Sequence, residues 1–199
     1  MHIAIVTFQG FNELDSFIAL GILNRIKLPN WRVSICCPEA SVTSMNGVTI
    51  QAQSRLADLS SADAVWIGSS MKTREVINDA DIMQQLPLDP SRQLIAAQCS
   101  GALILAKLGL MHNIPACTDL ITKPWVLEAG VEVLNQAFYA RQSIATAGGC
   151  MASPYLAAWL IARLIGENEA REALHYVAPV GEKERYVNHA FATISPYLN

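Results

Sequence analysis

Long runs of one charge, a CxxC pair and a Pro/Gly/Ser linker are all missing from these 199 residues, and each absence removes a class of function. Charged residues make up only 16% of the chain and the net charge is −3. No basic stripe is available to displace counterions from phosphates, so no nucleic-acid partner is expected. Apolar residues reach 52%, yet the apolar stretch from Tyr155 to Ala162 is too short to span a bilayer, and no membrane partner is expected. Behind Met1, the run Ile3-Ala4-Ile5-Val6 has neither a basic flank nor a small-residue cleavage site. That start points to a cytoplasmic protein. The five cysteines are Cys36, Cys37, Cys99, Cys117 and Cys150. Their spacing fits no closed zinc set, so neither a metal nor a cofactor is expected. In a reducing compartment they are free thiols, which mostly act as small hydrophobes. With no internal repeat or low-complexity tract, residues 1–199 read as a single domain.

What is present is an alternation of apolar strands and amphipathic helices. Strands are expected over His2–Phe8, Trp31–Cys37, Ala62–Ser69, Gln93–Gln98 and Arg141–Ala147. Helices are expected over Glu13–Ile26, Lys72–Leu86, Ser100–Leu110, Pro154–Ile165 and Glu167–Tyr176, with a last segment after Pro179. Met45-Asn46-Gly47 sits between two β-branched runs and predicts a tight hairpin within Ser41–Gln53. Such alternation predicts a parallel sheet flanked by helices, with its ligand site outside the carboxyl ends of the strands.

Cys99 falls where one strand stops and a helix starts, in "QLIAAQCSGALILAKLGL". The residue could be packing, a metal ligand or a nucleophile. The amides of the helix's first turn and its macrodipole would favour thiolate, the nucleophilic form. Gly101 permits close approach of helix to strand, and the small Ser100 leaves room beside the sulfur. In "FNELDSF", Glu13 and Asp15 open the first helix. Helix capping explains one of these carboxylates but not both. A carboxyl group beside a thiolate would be pushed toward its protonated form.

The FNELD turn, the AAQCSG elbow and the late TAGG before an apolar helix resemble, in order and spacing, the ThiJ/PfpI superfamily. The resemblance spans Ile3 to about Gly166. It implies a flavodoxin-like three-layer α/β/α sandwich with a mainly parallel sheet and a nucleophile elbow. It also matches Cys99 to the elbow cysteine, Asp15 to the acid that contacts it and Glu13 to a second acidic position. The aspartate is most similar to the isonitrile hydratase branch and to the domain preceding the DNA-binding part of some AraC-type regulators. No helix-turn-helix segment follows here.

Two departures bear on mechanism. Relatives of the peptidase and amidotransferase type pair the cysteine with histidine, but Ser100 follows Cys99, and Asp119 stands near where another histidine would fall. His2, His112, His175 and His189 lie outside the matched motifs, so peptide cleavage is not expected. Ser69-Ser70 replace a common Gly-Gly whose amides would hold an oxyanion. Lys123, and the Lys72-Thr73-Arg74 stretch, could bring positive charge to the pocket mouth. The expectation is a cysteine-dependent small-molecule enzyme, a hydratase or lyase acting on an isonitrile-like group or a reactive aldehyde. In it Cys99 and Asp15 would react, and the Ser69 and Ser100 amides would stabilise charge. The alternative is a non-catalytic redox sensor whose Cys99 oxidises. The apolar C-terminal helices, Trp159 among them, suggest a homodimer.

Overall fold

Successive residues of a strand face opposite sides of the sheet, so an all-apolar strand must seal two cores at once. That is the arrangement in the computed structural model, which describes residues 1–198. In chain order the elements are β1 (His2–Val6), α1 (Glu13–Leu23), β2 (Arg32–Cys37), β3 (Ser41–Thr43), β4 (Thr49–Gln51), β5 (Ser54–Arg55) and β6 (Ala64–Ile67). They continue with α2 (Thr73–Val76), α3 (Ala80–Gln84), β7 (Leu94–Gln98), α4 (Gly101–Lys107), α5 (Lys123–Glu128), β8 (Phe138–Arg141) and β9 (Ile144–Ala147). Three helices close the chain, α6 (Ser153–Ile165), α7 (Glu167–Val177) and α8 (Lys183–Ile194).

Seven strands form one sheet in the order β5-β2-β1-β6-β7-β9-β8. Every pairing is parallel except β8 with β9. Ile3, Ile5, Trp66, Ala96 and Ala145 pack on one face with residues of α1, α6, α7 and α8. Val6, Val65, Ile67, Ile95 and Ala97 pack on the other with α4 and its neighbours. The architecture is therefore the expected α/β/α sandwich. Cys36 and Cys37 divide between separate cores, as adjacent strand residues must. The Asn-Gly hairpin also forms, with Val42 opposite Ile50, as a small separate sheet.

Two expected elements need correction, and two further segments find their places. The helix predicted over Lys72–Leu86 is two short ones, because Asp79 Oδ1 accepts from the amides of Asp81 and Ile82 and starts α3 afresh. The late strand predicted over Arg141–Ala147 is the turn and second arm of a hairpin. Gln142 takes a left-handed φ of 58°, and β8 runs back beside β9. Lys123-Pro124-Trp125 opens α5, with proline in the first turn where its missing N–H costs nothing. The apolarity of α6 is used inside the chain: Trp159 is fully buried, and its Nε1 donates to the Tyr197 carbonyl at 3.1 Å. That apolarity is satisfied within the chain.

Candidate functional site

The chain lays β2 on one side of β1 and β6 on the other, so the carboxyl ends of β1 and β6 flank a topological switch point. The segments that follow β1, β6, β7 and β9, four neighbouring strands of the sheet, carry Asp15 (in the first turn of α1), Ser69, Cys99 and Cys150 respectively. Cys99 and Asp15 do not follow adjacent strands; β6 stands between β1 and β7, and its Ser69 links to Asp15.

Cys99 occupies the elbow. Its φ of 47° is in the left-handed region, a conformation that costs a side-chain-bearing residue about 1–3 kcal/mol and persists only when its surroundings fix it. Its amide donates to the Ala147 carbonyl at 2.8 Å. Its own carbonyl accepts from Thr118 Oγ1 at 2.8 Å. Behind it, a Cβ on Gly101 would lie 2.4 Å from the Ile67 carbonyl oxygen, so only glycine lets α4 start this close to β6. A Cβ on Gly148 would similarly lie 2.3 Å from the Thr118 carbonyl oxygen, which fixes the loop after β9 against the Cys99 support.

Asp15 is fully buried in the first turn of α1. The Ser69 hydroxyl donates to its Oδ2 in a short hydrogen bond, while Oδ1 has no hydrogen-bond partner among the described residues. A carboxylate oxygen of Asp15 and the sulfurs of Cys99 and Cys150 all lie within 4.8 Å of one another. Asn12 caps α1, its Oδ1 accepting from the Leu14 amide at 3.0 Å, and its Nδ2 donates to Cys150 Sγ at 3.2 Å. Gln98 Nε2 reaches Cys99 Sγ at 3.6 Å and the Gly149 carbonyl at 2.7 Å.

The electrostatics overturn one expectation. The thiol of Cys99 is not held ionised: burial raises its pKa strongly, and the negative charge of Asp15 raises it further. The residue is only 4% exposed, and this burial is the chief cause of the shift. Asp15 is likewise raised, chiefly by burial, while the hydrogen bond from Ser69 and the nearness of the two thiols pull the other way. A charge on Asp15 thus disfavours ionisation of Cys99, and burial opposes ionisation of both. Cys150 is raised by partial burial and by Asp15. Cys117 is pushed up to about 12 by burial and belongs to the core.

The other expected residues divide clearly. Glu13 is not part of the Asp15–Cys99–Cys150 cluster. It accepts from Ser44 Oγ and from Asn46 Nδ2, which ties the β3–β4 hairpin to α1, and the Ser44 bond lowers its pKa. Ser70 is spent on the scaffold: its amide donates to Ser100 Oγ at 3.1 Å and its hydroxyl to the Gln9 carbonyl at 2.6 Å. The Ser100 hydroxyl shares a 2.7 Å hydrogen bond with Thr73. The amides of Ser69 and Ser100 donate to no acceptor among the described residues. Asp119 Oδ1 accepts from the amides of Ile121 and Thr122 and so organises the turn into α5. Lys123 joins Thr118, Asp119, Gly148 and Gly149 around a groove of about 410 Å³. Lys72 forms an exposed ion pair with Glu75, and Arg74 stacks over the Trp125 ring; neither lines the groove beside Lys123. A cavity of about 580 Å³ between the end of α1 and α7 touches none of these groups.

Asn12, Gln98 and Thr118 were not expected at the site, and Cys150, which could approach it from a strand end, read as structural. For Cys150 the signal was present, since it follows Gly148-Gly149 at the end of a late strand. No histidine joins the cluster among the described residues.

No family model matches the sequence, and no curated protein matches it either. Solved structures do. DJ-1 of Schizosaccharomyces pombe is 13% identical, with a TM-score of 0.76 over 90% of this chain and 100% of its own. DJ-1beta of Drosophila melanogaster is 19% identical, with a TM-score of 0.76 over 88% and 96% of the two chains. A two-domain protein of Anabaena variabilis, containing DJ-1/ThiJ/PfpI-like and ferritin-like domains, is 16% identical, with a TM-score of 0.76 over 95% of this chain and 54% of its own. The chain has the DJ-1/ThiJ/PfpI-like fold.

Proposed function

We propose that this chain is a cysteine-dependent small-molecule enzyme in which Cys99 and Asp15 act together as nucleophile and proton carrier. One observation carries the reading: a cysteine held in left-handed backbone at a strand end, with a fully buried carboxyl group in its immediate neighbourhood. With both pKa values raised, the resting sulfur is a thiol and needs a base only at the moment of attack. Asp15 accepts that proton through the oxygen that Ser69 leaves free and later returns it. Ser69 and Ser100 amides are free to meet developing negative charge.

A terminal isonitrile or an α-oxoaldehyde suits this pair, because each offers an electrophilic carbon and neither needs a histidine to protonate a leaving amine. For an isonitrile, the thiol adds across the terminal carbon to give a thioimidate with the former thiol proton on carbon. Water then adds to that carbon, the C–S bond breaks with the proton returning to sulfur, and an N-substituted formamide leaves. Lys123 at the neighbouring groove favours substrates carrying a negative charge. Met71, Leu120, Ile121 and Met151 are exposed and each adjoins a residue or turn of the site. That apolar rim supports a homodimer covering the mouth, which light scattering of the purified protein tests.

The experiment is a turnover assay with isonitriles and α-oxoaldehydes. Cys99→Ser and Asp15→Asn should each reduce turnover by at least about 100-fold, the scale of a lost general acid–base. Full activity in either variant contradicts the reading. The second reading, a redox sensor, draws support from Cys150 beside Cys99. Selective peroxide oxidation of Cys99 without turnover of either substrate class would favour it.

A further inference from the structure

Asp15 in the first turn of α1, Cys99 after β7 and Cys150 after β9 are far apart in the chain, yet their ligand-type atoms all lie within 4.8 Å of one another. Each also has an outer hydrogen-bond donor. Ser69 Oγ donates to Asp15 Oδ2, Gln98 Nε2 lies 3.6 Å from Cys99 Sγ, and Asn12 Nδ2 lies 3.2 Å from Cys150 Sγ. Donors of this kind orient metal ligands and spread the charge of thiolates. Asp15 is fully buried, and its Oδ1 has no partner. A buried oxygen in that condition costs free energy unless a proton, water or cation answers it. Gln98 Oε1, from the same residue that touches Cys99, is a second such atom.

We propose that Asp15, Cys99 and Cys150 bind a thiophilic divalent cation of the zinc type through two sulfurs and one carboxylate oxygen, leaving a fourth position open. Tetrahedral zinc with sulfur at about 2.3 Å and oxygen at about 2.0 Å needs ligand–ligand separations of roughly 3.5–3.8 Å. A cluster already inside 4.8 Å reaches those edges with side-chain shifts of about an ångström or less. A Cys99–Cys150 disulfide would need the sulfurs at about 2.05 Å, a far larger approach, and an oxidant as well. On binding, the two thiol protons pass to solvent, and the cation takes their place between the sulfurs. The donor set has no histidine and includes two soft sulfurs, which favours zinc, cadmium or cobalt over magnesium and calcium. This site does not depend on the proposed turnover. The cation and an electrophilic substrate would compete for one sulfur.

The test titrates reduced full-length protein with cobalt(II) and then displaces cobalt with zinc(II). One equivalent should give sulfur-to-cobalt charge transfer in the near ultraviolet and the intense visible bands of a tetrahedral ion. Cys150→Ser should lose about half of the charge-transfer intensity and weaken binding by at least ~10-fold, taking the low end of the loss seen for outer-shell changes as a floor. Asp15→Asn should weaken binding while keeping both sulfur contributions, and Cys117→Ser should change nothing. Thermal melting of each variant confirms that it is folded. An absence of charge transfer overturns the proposal, and so do bands that survive in folded Cys150→Ser. Turnover unaffected by saturating zinc would overturn the shared sulfur while leaving the enzyme reading standing. Zinc binding with no turnover of any substrate would do the reverse.

Discussion

Ser69 donates its hydroxyl proton to Oδ2 of Asp15, which leaves Oδ1 unpartnered in a carboxyl group that lies beside two sulfurs. This one bond gives the carboxyl group two unlike edges. Its Ser69 edge is fixed and stabilises the charged form; the other is free to take a proton. Glu13, two residues earlier, has both oxygens occupied by the hairpin and so contributes rigidity instead of chemistry.

Removing the Ser69 hydroxyl should therefore act through Asp15. In Ser69→Ala the buried carboxylate loses its one strong donor, at a cost of about 1–3 kcal/mol where Asp15 is ionised. Once Asp15 is protonated, the loss should shrink. Urea denaturation of both proteins at pH 4.5 and 7.5 measures the difference. An equal loss at the two pH values would show that Ser69 acts only through packing.

Asp15→Asn should stabilise the fold at neutral pH. The folded-state pKa of Asp15 is raised, mainly by burial, above the value that it has in an unfolded chain. The native protein then holds the proton more tightly, so stability present at low pH is lost as pH rises through the folded pKa. An uncharged asparagine removes that dependence. The variant's Tm should exceed wild type at pH 7–8, with the gap narrowing toward pH 4. A lower Tm at pH 7.5 would contradict the burial of an ionisable Asp15.

Gly101→Ala tests the elbow itself. The added methyl would meet the backbone oxygen of Ile67 at 2.4 Å, and a strand carbonyl cannot rotate away. Overpacking of this kind costs roughly 1–3 kcal/mol, and here it would also push Cys99 off its left-handed φ. A lower denaturation midpoint together with altered Cys99 alkylation is expected. Unchanged values for both would mean that α4 starts farther from β6.

Much of this was legible in the chain. The apolar run ending at Gln98, followed by the small residues Ser100 and Gly101, marks a strand–turn–helix that exposes its middle residue. Asp15 was marked by a charge at the first turn of an otherwise apolar helix. Cys150 was harder, because its place beside Cys99 depends on β9 pairing with β7, a contact set by sheet order across the whole chain. The short α2 and α3 pattern like a single helix, since Asp79 interrupts the backbone without breaking the apolar spacing. The direction of the Cys99 shift was also out of reach. A helix start is a local feature that favours thiolate, whereas burial is a tertiary property, and here burial dominates.

The most direct test of the paired proton is the rate of iodoacetamide alkylation at Cys99 against pH, in wild type and Asp15→Asn, with the modified residue identified by mass spectrometry. Wild type should show no reactive plateau below about pH 9, above the ordinary thiol range, and Asp15→Asn should shift the rise to lower pH by removing the adjacent charge. A wild-type sulfur that titrates at or below the ordinary thiol range, or a profile that Asp15→Asn leaves unmoved, would contradict it.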